Sequence, residues 1–155
     1  MVRLICGLIL VLAIAAPSMG QQQSLVGTYK IVSFIEEMEG KTMENMGKAP
    51  HGYLMFTPTH VLAFYTTKER KPGKSMAEKA ALFDTLTGWG GKYRVEGNRF
   101  IYMPDVSWTE TVNGTTRENT FELSSNRLTL IGGPYPYPRD PSKMVIRRAV
   151  WEKIE

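Results

Sequence analysis

Apolar side chains recur with a period of two along most of the chain beyond residue 24, the spacing of strands that bury one face. In residues 89–96 (WGGKYRVE) the charges of Lys92, Arg94 and Glu96 fall on one face, so Trp89, Gly91, Tyr93 and Val95 share the other. In residues 116–123 (TRENTFEL), Glu118, Thr120 and Glu122 face out, which turns Arg117, Asn119, Phe121 and Leu123 inward. Residues 25–37 (LVGTYKIVSFIEE) are β-branched and aromatic, and an outward Lys30 implies Tyr29, Ile31, Ser33 and Ile35 inside. Residues 52–56 (GYLMF) and 61–66 (VLAFYT) form a hairpin around a turn at 57–60. Both strands are apolar on two faces, which predicts that a helix covers them.

Turn residues divide these runs. Residues 39–49 read as a loop, and Ser75 followed by Glu78 is a capping box that opens a short helix through Asp84, with Met76, Ala80 and Phe83 on one face. Pro104 interrupts the strand before residues 106–112, and Asp105 is the one carboxylate with an inward position open to it, a solvated loop position being the favoured reading. Asn113-Gly114 predicts a two-residue type I′ hairpin turn. Residues 132–141 (GGPYPYPRDP) alternate with proline and read as a loop. The last strand, 143–154, places Ile146, Arg148 and Val150 on its inner face and Arg147 on its outer one. The count is about eight strands in hairpin order with one helix between strands 3 and 4, an all-β pattern that fits a sandwich or a barrel. Closure into an antiparallel up-and-down β-barrel is favoured, because the long apolar first and last strands would otherwise be exposed edges.

Composition adds a compartment. Arg3 precedes an uncharged apolar run at residues 4–16, too short to span a bilayer, and small residues at Ser18 and Gly20 precede Gln21. Residues 1–20 therefore read as a signal peptide and 21–155 as one domain, exported to the periplasm or secreted, with no membrane span after cleavage. The single cysteine, Cys6, lies in the leader, so the remaining chain has no thiol. With 14 Gly and 9 Pro among 155 residues, a helical bundle is excluded.

Chemistry is sparse. His51 and His60 are the only histidines and have no ligand spacing around them, so no metal or other cofactor is expected. No nucleophile elbow or phosphate loop occurs, and no catalytic residue is assigned. A net charge of +4 concentrates at Lys68, Arg70, Lys71 and Lys74, without interleaved aromatics, which disfavours nucleic acid as a partner. Asn113-Gly114-Thr115 is also an N-glycosylation sequon, relevant only in a eukaryotic host.

The opening Leu25-Val26-Gly27-Thr28-Tyr29-Lys30-Ile31-Val32-Ser33 resembles the L-V-G-T-W-x-L-V-S start of the small lipocalin-like domain family. Residues 51–58, 78–84, 121–130 and 148–153 are similar to that family in the same order. The resemblance implies a calycin-type eight-stranded barrel with an internal cavity, in a family many of whose members have no known activity. It also implies a closed end on which Tyr29, standing where the family has Trp, is covered by Arg148. Tyr102 and Asn119 stand where the family often shows His and Arg.

These readings converge on a barrel that binds a small hydrophobic or amphipathic ligand. Met55, Tyr65, Trp89, Tyr93 and Phe121 would supply the apolar contact, with Arg117, Asn119 or Arg148 orienting a polar end. The alternatives are a cavity-based isomerase, cyclase or dehydratase, and an interaction protein whose barrel is filled.

Overall fold

The computed structural model describes residues 24–137 and 140–155; the expected leader lies outside them. Nine strands are present among the described residues: β1 (Gly27–Met38), β2 (Lys41–Met43), β3 (His51–Phe56), β4 (His60–Thr66), β5 (Leu86–Glu96), β6 (Arg99–Ser107), β7 (Arg117–Ser124), β8 (Arg127–Tyr137) and β9 (Asp140–Lys153). All pairings are antiparallel, and β9 returns to β1, so β1 and β3 to β9 close an eight-stranded barrel. Closure removes the two hazardous edges that the long terminal strands would have presented.

The helix α1 (Met76–Phe83) lies between β4 and β5, not between strands 3 and 4 as expected. The difference is β2, hidden in the segment expected to be loop. β3 pairs only with residues 27–30 of β1, leaving the far end of that edge unpaired, and Lys41 to Met43 fold back to take Glu36, Glu37 and Met38 as partners. Glu39 and Gly40, at φ 52° and 72°, supply the two positive angles of that tight hairpin. The capping box is as expected: the Ser75 hydroxyl accepts from the Glu78 N–H, and the Glu78 carboxylate accepts from the Ser75 N–H at 2.8 Å. Arg70 from the basic loop donates to the Leu82 carbonyl at the other end of α1. The helix buries no residue and does not cover the hairpin: Tyr53, Met55, Leu62 and Phe64 remain exposed on its outer face.

The Asn113-Gly114 turn is not type I′. β6 ends at Ser107 and a 3₁₀ turn occupies Glu110–Val112, so the flanking strands are not adjacent at the turn. Asn113 at φ −63°, ψ 135° and Gly114 at φ 71° describe a type II turn, closed by the Thr115 N–H to the Val112 carbonyl at 3.3 Å. Residues 132–137, expected as loop, continue β8 against β9. Pairing of β8 with β7 stops at Gly132, so Pro134 and Pro136 lie where only one side of the strand is bonded, a position proline tolerates.

Two bulges set the facing of side chains, and the first of them corrects the expected one. Between Ile31 and Ser33 the β1–β9 register shifts, leaving Val32 as the extra residue. Tyr29 and Ile31 face in as expected, but beyond the bulge Phe34 and Glu36 point inward in place of Ser33 and Ile35. Opposite Gly90 and Gly91 the partners jump from Val106 to Pro104, so Asp105 is bulged out and exposed. On β9, Val145, Arg147, Ala149 and Trp151 face in, whereas Ile146 and Arg148 are exposed and Val150 shares their outward face, one residue out of the expected phase.

One end of the barrel is filled. Tyr29, Phe56, Tyr93 and Phe100 pack with edge-on or tilted rings, centroids 5.1–6.0 Å apart. The Tyr29 hydroxyl donates to the Leu25 carbonyl at 3.0 Å and that of Tyr93 to the Thr57 carbonyl at 2.9 Å. Arg148 does not cover Tyr29. Lys153 does: its ammonium stands 5.8 Å from the ring centroid and donates to the Val26 carbonyl at 2.9 Å.

Candidate functional site

The other end of the barrel holds a cavity of about 570 Å³. Its apolar wall comes from inward positions of five strands: Phe34 of β1, Tyr65 of β4, Trp89 of β5, Leu130 of β8, and Ala149 and Trp151 of β9. Trp89 stacks on Tyr102 (4.5 Å, 28°), which in turn stacks on Phe100 (4.9 Å, 10°), so the cavity wall is continuous with the aromatic plug. Tyr65 stands edge-on to Trp151 at 5.6 Å. Around the mouth lie Trp108, Thr109, Thr111 and Val112, the end of α1 at Asp84, Tyr137, and Asn45 with Met46 from the β2–β3 connection. Phe83 packs on Trp108 there (4.6 Å), which ties α1 to the rim.

Polar groups are few and organised. Glu36 and Arg147, direct cross-strand partners, form an ion pair at 2.8 Å with Glu36 only 5% exposed. The Asn45 amide donates to the second carboxylate oxygen, which fastens the β2–β3 connection to the barrel. On the adjoining strands β7 and β8 the Tyr135 hydroxyl donates toward Asn119 Oδ1 and the Glu118 carbonyl. Gly132 permits this meeting, because a methyl group there would collide with Asn119 Oδ1 and press on the Tyr135 ring. Burial pushes the Tyr65 hydroxyl up to about 12, opposed by a hydrogen bond with Thr87. Burial also raises Tyr102 far above the usual phenol range, against the pull of Arg117. Both tyrosines are therefore neutral at physiological pH.

Two buried donors on this surface have no hydrogen-bond partner among the described residues: Arg117 Nε and Trp151 Nε1. Their orphan state is the main chemical asymmetry of the site, since buried donors are ordinarily satisfied.

Of the side chains expected to contact a ligand, Tyr65, Trp89, Arg117 and Asn119 line the cavity. Tyr93 and Phe121 are buried in the hydrophobic core and do not line it. Met55 faces outward, 41% exposed, because the β3 side chains that point in are Leu54 and Phe56. Arg148 also lies outside, and Arg147 takes the inward place. Sequence reasoning missed Glu36, Arg147, Trp151 and Tyr135. The inward phase assigned to Arg148 concealed Arg147 and Trp151, and the bulge at Val32 concealed Glu36. Among the described residues no three His, Cys, Asp or Glu side chains converge as a metal site would require, and no helix is long and apolar enough to cross a membrane.

A closed antiparallel barrel, plugged with aromatics at one end and hollow at the other, defines the class of cavity-bearing calycin-type barrels. The model of the lipocalin-like domain family matches residues 26–154, nearly the whole barrel, and the chain belongs to that family. A comparison with curated proteins found no match.

Proposed function

We propose that the protein is an exported barrel that binds one small amphipathic molecule in its cavity. The carrying observation is the cavity itself: about 570 Å³, within the range of small-molecule sites, with aromatic and aliphatic walls and a few placed polar groups. A void of this size argues against a barrel that is merely filled, since protein interiors otherwise pack densely. The enzymatic alternative rests on Glu36, the buried carboxylate of the cavity wall. Arg147 and Asn45 occupy its oxygens, so as it stands it offers no free base.

Native mass spectrometry of protein recovered from the exported fraction, paired with displacement of a hydrophobic fluorescent dye, tests the reading. A co-purifying small molecule, or saturable dye binding at one site, supports it. A protein that carries nothing and excludes the dye overturns it, and conversion of the bound compound to product favours the enzyme. N-terminal sequencing of the same sample should begin at Gln21; retention of Met1 would remove the export proposal.

A further inference from the structure

We propose that the cavity selects the carboxylate form of its apolar ligand, and that Arg117 is the residue that recognises it. The inference rests on the cavity-binding reading and specifies the head group of the molecule bound.

The argument starts from charge. Four ionisable side chains with full charge line the cavity: Glu36, Asp84, Arg117 and Arg147. Glu36 and Arg147 cancel each other at 2.8 Å. Asp84 is exposed at the end of α1 and forms no ion pair among the described residues. Arg117 has neither an ion pair nor a partner for its buried Nε among the described residues, so one positive charge at the wall is uncompensated. A guanidinium cannot discharge itself by losing a proton, and in a partly enclosed site of low polarity it attracts a counter-charge strongly.

Among the described residues no hydrogen bond reaches Arg117 Nε. Tyr102 is the cross-strand partner of Arg117, and the nearby acceptors Asn119 Oδ1 and the Glu118 carbonyl are already engaged by Tyr135. The second orphan group on the cavity surface, Trp151 Nε1, is also a donor. A site whose unmatched buried groups are all donors is complementary to a ligand that brings acceptors. Among common head groups the carboxylate is acceptor-only and fits the planar fork of an arginine. A dianionic phosphate is less well matched, because the other cavity cation is committed to Glu36. The apolar part of the ligand would lie against Phe34, Trp89, Leu130 and Ala149.

The test is isothermal titration of the full chain with dodecanoate and 1-dodecanol, which share a tail and differ in the head. The wild type should bind dodecanoate at least about tenfold more tightly, as expected for one charge-assisted hydrogen-bonded contact. In Arg117→Gln, dodecanol affinity should hold while the preference collapses to within about twofold; Arg117→Lys should retain part of it. Equal affinity of the wild type for both compounds overturns the inference and leaves the cavity reading standing. A preference that survives in Arg117→Gln overturns the assignment to Arg117. Binding of neither compound, with dye also excluded, overturns the cavity reading and this inference together. The wild-type comparison needs no variant and decides the carboxylate preference; if Arg117→Gln fails to fold, an undiminished preference in Arg117→Lys overturns the assignment to Arg117.

Discussion

Replacing Arg147 by Ala should destabilise the barrel far more than replacing its neighbour Arg148. The Arg147 guanidinium is the cation paired with Glu36, whose carboxylate is only 5% exposed. Removing one partner of a fully buried pair costs about 3–5 kcal/mol, because the remaining charge is stranded. Here the arginine side chain is 29% exposed and Asn45 continues to donate to the carboxylate, so water and the amide recover part of that loss. We therefore expect about 2–3 kcal/mol for Arg147→Ala. Arg148 is exposed and forms no side-chain ion pair or hydrogen bond among the described residues, so its truncation should cost under ~0.5 kcal/mol. With a urea slope of roughly 1.5–2 kcal/mol per molar, the first variant should lower the unfolding midpoint by about 1–2 M and the second should barely move it. Adding Glu36→Gln to Arg147→Ala should restore part of the loss, since the stranded charge disappears with its partner. If Arg148→Ala is the more damaging change, β9 is one residue out of phase and Trp151 does not face the cavity.

The Asn113-Gly114 turn and the buried tyrosines give two further tests. Gly114 holds φ at 71°, so Gly114→Val should cost on the order of 1–2 kcal/mol, whereas Gly114→Asn should be milder; equal melting temperatures for the two variants would contradict the geometry. Tyr65 is neutral in the folded barrel up to about pH 12, while in the unfolded chain it ionises near 10. The unfolded state thus loses its proton first, and the stability this phenol contributes is complete below pH 10 and lost as pH rises toward 12. Tyr65→Phe should flatten that alkaline decline by about 2 kcal/mol, read from urea midpoints at pH 9 and pH 11.5. A decline of the same size in wild type and variant would refute it.

Much of the fold is legible in the amino-acid order because the pleat has a period of two and solvent enforces it. Residues 89–96 alternate charge with aromatic or small residues, and the inner face is found where that pattern puts it. The capping box at Ser75 and Glu78 is likewise a local arrangement, formed by groups three residues apart. The helix position shifted only because Glu39-Gly40 carries a tight turn that a less distinctive dipeptide than Asn-Gly supplied.

What only the tertiary structure decided is the phase of strands interrupted by bulges or lacking a clear face. A single extra residue at Val32 inverts everything after it, exchanging Ser33 and Ile35 for Phe34 and Glu36 inside the barrel. On β9, Arg147 and Arg148 are adjacent, so each face carries one charge and apolar alternation cannot choose between them. The choice is made by the neighbouring strand, where Glu36, 111 positions away in sequence, pairs with Arg147 and neutralises it. Local pattern reports which residues share a face; which of two charged faces is buried depends on the partner that closure brings to it.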